Sequence, residues 1–355
     1  MEAKLASGGM GAIYRVRDPS SGGALALKRL LPNAGTAATV LFRKEYHTLV
    51  LLRHPRIIRV YDYGIDGGVP YFTMELLDGA DLRALAPMSF PQACQHLRDV
   101  ASSLALLHAH RILHRDVTPR NVRVTSDGRC KLLDFGALSP FGIPDTLVGT
   151  APFIPPEALR GQPLDQRADL FALGALAYHL LTGAYAYPAT SLGTLESVWR
   201  RRPVDPSTLV AAMSTGGAPL EPIPEALDDL VMSLLSLDPL ARPTSAAEVI
   251  ERLDAIAGRV SDPGPAAAQS YLLSAEIVGR AKEIERTKLL SARTATGVGG
   301  VLSIRHAAGA GGTRLLTEVC MEARLAGATV FQFDGEVQRG PYAVAKSLVE
   351  KLTAA

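Results

Sequence analysis

The chain has 355 residues, 47% of them hydrophobic and 20% charged, and a formal net charge of +2 at pH 7. Such a composition belongs to a globular protein and argues against a disordered or fibrous chain, while the near-balance of charge gives no reason to expect a nucleic acid as a direct partner. The length suits two domains of roughly 100–200 residues each.

Strand-like stretches dominate the first 80 residues: "AIYRVRD", "ALALKRL", "IIRVYDYG" and "VPYFTMEL" alternate or cluster β-branched and aromatic residues between Gly, Pro and Asp. One helical pattern, 38–52, interrupts them with leucines at helical spacing. From Pro91 the pattern turns helical, over 91–110, 167–183, 225–236 and 244–257, with Pro91 in a first turn and Thr244 as an N-cap. A small β-rich lobe followed by a larger helical one implies a cleft. The apolar run 170–187 contains His179 and two glycines and reads as a buried helix rather than a membrane span. The run Arg200, Arg201, Arg202 reads as the solvated end of a helix. Residues 258–270 lose periodicity and gain Pro, Gly and Ala, the mark of a linker. In the last segment, 271–355, strand-like 300–306, a glycine-rich loop, a helix-like stretch and a short strand over 328–333 follow, too few for a complete doubly wound sheet.

Cys94, Cys130 and Cys320 lie too far apart for a disulfide framework or a metal-spaced pair. They read as small buried apolar residues in a reducing, cytoplasmic setting. The opening "MEAKLASGGMG" lacks the apolar core of a secretory signal.

Three stretches carry chemistry. Glycines in "LASGGMGAIYRVRD" let backbone N–H groups approach phosphates with no Cβ in the way, although a glycine-rich turn alone is a weak signal. In the next strand, "ALALK", a buried Lys28 needs a counter-charge, and Glu45 on the 38–52 helix is placed to supply it. Then come "HRDVTPRN" (114–121) and "LLDFG" (132–136), which bring hard oxygen donors onto neighbouring loops.

Over about residues 1–257 these stretches resemble the eukaryotic-type serine/threonine protein kinase family as it occurs in bacteria. The resemblance implies an α+β, two-lobed kinase fold, with ATP and Mg2+ as cofactors and a protein Ser or Thr hydroxyl as acceptor. By resemblance, Ala6, Ser7, Gly8, Gly9, Met10, Gly11 and Ile13 form the glycine-rich loop, with Ala6 in the first glycine place and Ile13 in the valine place. Ala26 and Lys28 would line and anchor the nucleotide, with Glu45 holding Lys28. Met74 falls in the gatekeeper place, the backbones of Glu75 and Leu77 would face adenine, and Asp81 the ribose. Asp116 would accept or orient the hydroxyl proton, and Asn121 and Asp134 would hold Mg2+. Asp169 would hold the catalytic loop at His114 and Arg115, Leu49, Val60, Phe135 and His114 would stack as an apolar spine, and Glu157 would pair with Arg242. Small-molecule kinases lack that last pair, which favours a protein substrate.

Three residues depart from the family. Ala6 would cost about 1 kcal/mol if its position needs positive φ. Thr118 replaces a lysine that neutralises the transferring phosphate, and Arg120, two residues on, could reach back. Alternation in "NVRV" buries Val122 and Val124 and aims Arg123 at the adenine floor, where a guanidinium can stack on a purine. In the segment 134–157, which the resemblance makes the activation segment, Thr150 reads as structural, lining the substrate site, and Thr146 is the better phosphorylation candidate with Arg115 its reader, though a plain exposed threonine fits equally. Residues 271–355 resemble the start of a signal-transduction P-loop ATPase module, a C-terminal α/β fragment with Gly312 where the phosphate loop needs lysine and His306 where it needs the first glycine. The resemblance therefore leaves two readings: a cytoplasmic kinase with possible regulatory coupling to its own C-terminal module, and a pseudokinase acting as a nucleotide-gated binding module. No membrane segment and no nucleic-acid partner is expected.

Overall fold

A computed structural model describes residues 3–8, 11–18, 22–32, 34–213, 221–259 and 280–306, with scattered positions between 311 and 349. It divides into two compact units: residues 1–51, 59–76 and 277–355 form one, and 52–58 with 77–276 the other.

In the first unit, β1 (Ala3–Ser7), β2 (Gly11–Arg17), β3 (Ala24–Leu30), β4 (Val60–Asp66) and β5 (Val69–Glu75) make one sheet in the order β1-β2-β3-β5-β4. Every pairing in it is antiparallel. The β4–β5 turn is a two-residue hairpin in which Gly67 and Gly68 have φ of 57° and 78°, values that a primed turn requires at both centres. Strand alternation puts Ala26, Lys28 and Leu30 on one face of β3, the outer two of them buried. Helix α1 (Thr36–Leu51), close to the expected 38–52, buries Phe42, Glu45, Thr48 and Leu49 along one stripe. Phe42 meets Phe72 with ring centroids 4.9 Å apart, and Leu30 completes that core, with Met74, Val60 and Tyr63 against it.

The second unit is mainly helical. After β6 (Ala80–Asp81) and α2 (Leu82–Leu85), the long α3 (Phe90–Ala109) starts behind Ser89 with Pro91 in its first turn. Then come β7 (Ile112–Leu113), β8 (Val122–Val124), β9 (Cys130–Leu132), β10 (Ser139–Pro140) and α4 (Pro156–Leu159). Helix α5 (Arg167–Thr182) is buried at every position from Ala168 onward and ends at Gly183 with φ 74°. That accounts for the apolar run, and among the described residues no helix is long and apolar enough to cross a membrane. Helices α6 (Leu195–Val198), α7 (Pro206–Met213), α8 (Glu225–Leu234) and α9 (Ala246–Ile256) complete the unit. The arginine run follows α6 and is exposed, as expected. The N-cap of α9 is Ser245 rather than Thr244: the Ser245 hydroxyl accepts from the Glu248 amide at 3.2 Å, while Thr244 donates through its amide and hydroxyl to the Glu248 carboxylate.

Residues 52–58 belong to this unit although they lie between α1 and β4 in sequence. Ile57 bridges Leu132 in parallel, the Ile58 amide donates to the Leu132 carbonyl at 3.1 Å, and the Leu132 amide returns a bond to Arg56 at 2.8 Å. The Arg56 guanidinium lies 3.3 Å from the buried Asp99 carboxylate, and the Ser103 hydroxyl donates to the Arg56 carbonyl at 2.9 Å. His54 accepts the Arg56 amide on Nδ1 at 3.1 Å, so its proton sits on Nε2, 3.1 Å from Ser102 Oγ.

All three cysteines are free and buried, as expected of apolar fillers; burial pushes the Cys94 thiol up to about 11 and the Cys130 thiol higher still. The C-terminal segment departs from expectation. Helix Ala281–Ala295 has no counterpart among the expected elements. Residues 301–306 form no strand, and Val301 is 97% exposed: alternation alone does not make a strand, and no ladder partner for it occurs among the described residues. Of the helix-like stretch beyond it, Leu315, Leu316, Val319, Cys320 and Ala323 are helical. The expected 328–333 strand and the 258–270 linker fall almost wholly outside the described residues.

Candidate active site

In the first unit, β1 and β2 pair with Ala6 opposite Ile13 and Ser7 opposite Ala12, and the Gly8 amide closes the turn on the Gly11 carbonyl at 2.9 Å. Gly9 and Met10 lie outside the described residues. Ala6 sits in the extended strand and is absent from the positive-φ positions, so the cost expected of a non-glycine residue there does not arise. Gly11 is required for a different reason: a Cβ there would lie 2.6 Å from the Arg29 carbonyl oxygen on β3.

Lys28 lies opposite Ile13 on one side and Phe72 on the other. Its Nζ donates to both oxygens of Glu45 at 2.6 and 2.8 Å, with side chains only 12% and 4% exposed. A charge-assisted pair this dry fixes the ammonium in one place on the sheet. Ala26 is buried between Arg15 and Met74 of the flanking strands. At the end of β5, the Glu75 amide donates to the Arg59 carbonyl at 2.9 Å and its carboxylate accepts the Arg59 amide at 2.7 Å. Any contact of the Glu75 backbone with a base edge therefore falls to its carbonyl.

In the second unit, Leu77 and Asp81 precede α2, and Asp81 caps it by accepting the Ala84 amide at 3.1 Å. The loop after β7 is organised by Asp169 from α5. This wholly buried carboxylate accepts the His114 amide at 2.9 Å and the Arg115 amide at 2.8 Å, and its Oδ2 is 2.9 Å from His108 Nε2. Burial opposes its ionisation, but the His108 hydrogen bond, the charges of His108 and His114 and the Arg115 amide outweigh it and hold the carboxyl below the usual range. Arg115 takes φ of 67°, which turns the chain toward Asp116. The Asp116 carboxylate is oriented on both oxygens: Asn121 Nδ2 donates to Oδ2 at 2.7 Å, and Thr150 Oγ1 donates to Oδ1 at 2.9 Å.

Asn121 Nδ2 also donates to the Asp116 carbonyl at 2.9 Å, so its Oδ1 is turned away from that loop. The Leu133 amide donates to the Asn121 carbonyl at 2.8 Å, which ties the next residue, Asp134 with φ 56°, to the same turn. Behind it Phe135 is buried edge-on against His114, centroids 5.0 Å apart. One amide oxygen and one carboxylate on adjoining loops suit Mg2+, which takes few protein ligands and completes its octahedron with water and phosphate oxygens.

Thr118 is buried at 4% exposure, with its carbonyl accepting the Asn121 amide. Arg123 faces Asp81 on one neighbouring strand and Lys131 on the other. Val122 is fully buried, but Val124 is only half-buried, contrary to expectation, because β8 is too short to cover both ends. Arg123 Nε is sealed from solvent without a hydrogen-bond partner. The segment 134–157 is tied back by Arg115, which donates to the Thr146 carbonyl and is itself pressed below its ordinary pKa by burial, against the pull of Asp169 and Asp145. The Glu157–Arg242 pair forms as expected, at 2.6 and 2.9 Å, and Arg242 also donates to the carbonyls of Arg167 and Ser236, each at 2.8 Å. Sequence reading missed the bonds from Thr150 to Asp116 and from His108 to Asp169. No motif spacing carries either bond, and only three-dimensional placement joins these residues to the loop.

A family model for the protein kinase domain matches residues 1–253. The chain is 33% identical over 274 residues to the serine/threonine-protein kinase PknL of Mycobacterium tuberculosis, covering 74% of this chain and 66% of PknL. It is 32% identical over 263 residues to the serine/threonine-protein kinase PknB of Mycolicibacterium smegmatis, covering 69% of this chain and 40% of that protein. With PknB of Mycobacterium tuberculosis the identity is 31% over 305 residues, 81% of this chain and 45% of that one. The chain thus spans just under two thirds of PknL and less than half of PknB.

Proposed function

The chain belongs to the protein kinase family, and from that premise we propose that it is a cytoplasmic serine/threonine protein kinase, using Mg-ATP to phosphorylate protein hydroxyl groups. The observation that carries the proposal is the Asp116 carboxylate held on both oxygens, by Asn121 and by Thr150. So held, it can take the hydrogen bond of an incoming Ser or Thr hydroxyl and aim its oxygen lone pair. Mg-ATP supplies the electrophilic γ-phosphorus: an O–P bond forms to the substrate oxygen, the bond to the β–γ bridging oxygen breaks, and ADP leaves. Asp116 takes or guides the proton released from the hydroxyl. Lys28, fixed by Glu45, would supply a positive charge for phosphate oxygens, and Asn121 and Asp134 would hold Mg2+. The family resemblance assigns Ala6, Ser7, Gly8, Gly9, Met10, Gly11 and Ile13 to the glycine-rich loop for the phosphates, and Ala26, Glu75, Leu77, Asp81 and Arg123 to the base and ribose.

The pseudokinase reading draws on buried Thr118 in the lysine place and on Arg123; the Lys28–Glu45 pair and the oriented Asp116 count against it. For residues 271–355 the reading is a partial P-loop-like module that does not hydrolyse nucleotide. Its support is Gly312 in the place of the phosphate-loop lysine and His306 in that of the first glycine.

The test is transfer of labelled phosphate from Mg-ATP by the full chain, to itself and to a generic protein, beside Asp116→Asn. Incorporation that disappears in the variant is the expected result. Equal incorporation by both, or none by the native chain with ATP still bound, would overturn the proposal.

A further inference from the structure

Two exposed basic side chains stand beside the catalytic loop. Arg120 is exposed in the 3-10 turn Pro119–Asn121, between buried Pro119 and the Asn121 that orients Asp116. Helix α2 packs against that turn and presents Arg83, whose side chain is 50% exposed. Among the described residues Arg120 has no ion-pair partner, and Arg83 reaches only Asp81, at 3.9 Å. Asp81 also caps α2, and the nearby Asp116 is bonded by Asn121 and Thr150.

Two exposed guanidinium groups on touching elements, one without an ion-pair partner among the described residues and the other held only by Asp81 at 3.9 Å, suit an anionic partner, because the guanidinium fork matches carboxylate and phosphate. A peptide whose hydroxyl reaches Asp116 is extended at about 3.3 Å per residue, so it carries its neighbouring residues past the same turn. We infer that Arg83 and Arg120 read an acidic group flanking the acceptor, so that the substrates of this chain carry Asp, Glu or a phosphorylated residue beside the Ser or Thr that is modified. This rests on the kinase reading for the position of the acceptor. Being exposed, such pairs act on peptide affinity, hence KM, and weaken with salt, while turnover is left to Asp116.

The experiment uses the full chain and fluorescent peptides sharing one serine acceptor, flanked by glutamate, by alanine, by lysine or by phosphoserine. Binding is read by anisotropy at low and high salt, and phosphate transfer is followed in parallel. The glutamate peptide is expected to bind about five- to tenfold more tightly than the alanine peptide, as two exposed ion pairs allow, with the gap closing at high salt. Arg83→Glu with Arg120→Glu should invert the binding order in favour of lysine. Tighter binding of the phosphoserine peptide than of the glutamate peptide would assign a primed substrate, and the reverse order a carboxylate. Glutamate and lysine peptides binding within twofold of each other, or a glutamate preference surviving in the double variant, would overturn the inference. A glutamate preference without transfer to any peptide would refute the kinase reading and, with it, the role in substrate choice, leaving only an anion-binding pair.

Discussion

Replacing Arg242 by alanine is expected to be among the most damaging single changes in the helical unit. The guanidinium is buried, with its side chain at 0% exposure, and makes four hydrogen bonds: two to Glu157 and one each to the carbonyls of Arg167 and Ser236. Arg242→Ala leaves the Glu157 carboxylate, 5% exposed, without its cation, and takes one donor from each of the two carbonyls. Breaking a buried pair from one side costs about 3–5 kcal/mol, a large part of the roughly 5–15 kcal/mol that stabilises a domain. Removing both charges, with Arg242→Met and Glu157→Leu together, leaves no stranded ion and should cost less than the sum of the single changes. The chain has a single tryptophan, Trp199, which is 7% exposed in the same unit, so urea unfolding followed by its fluorescence reads the right structure. A loss below about 1 kcal/mol in Arg242→Ala, or a double variant as unstable as the two single losses combined, would refute the argument that a stranded charge dominates.

Three further outcomes follow from local geometry. Burial and the neighbouring Arg56 push His54 down to about 4 from 6.5, so in the folded chain it stays neutral while the unfolded chain takes up a proton; stability should fall as pH drops from 6.5 to about 4. The full loss is roughly 3 kcal/mol, and urea midpoints across that range should show a flatter profile in His54→Gln. Gly11→Ala drives a Cβ against the Arg29 carbonyl and should destabilise the chain by about 1–3 kcal/mol. Ala6→Gly should alter the measured dissociation constant for ATP by less than about twofold, since an extended strand residue gains nothing from glycine.

Much of the fold was legible because its signals are local. Alternation around Ala26, Lys28 and Leu30 marks β3, and the unbroken apolar run of α5 marks a helix buried on all sides. Lys28 with Glu45, Glu157 with Arg242 and Asp169 with the catalytic loop were legible from motif order, and the structure brings each set within bonding distance. What escaped the sequence depends on distant partners. The stretch 301–306 carries a strand pattern with no ladder partner among the described residues, and a threonine such as Thr150 bonds the catalytic carboxylate only when its segment folds back onto Asp116. Asp81 shows a third case, since its place in a family motif says nothing of the helix cap it also forms.

The dual allegiance of residues 52–58 bears on the order in which the chain is assembled during synthesis. The ribosome delivers this segment well before Asp99, Ser102, Ser103 and Leu132, the residues that hold it. Hairpins such as β4–β5 close locally and early, whereas Ile57 and Ile58, 1% and 5% exposed in the finished protein, must wait for the second unit to emerge. Until then they form an apolar, uncovered stretch on the nascent chain, the kind of surface that chaperones hold. A fragment ending near Leu76 would keep that stretch permanently uncovered, so the N-terminal sheet is expected to aggregate when produced alone and to stay soluble only when the helical unit follows it.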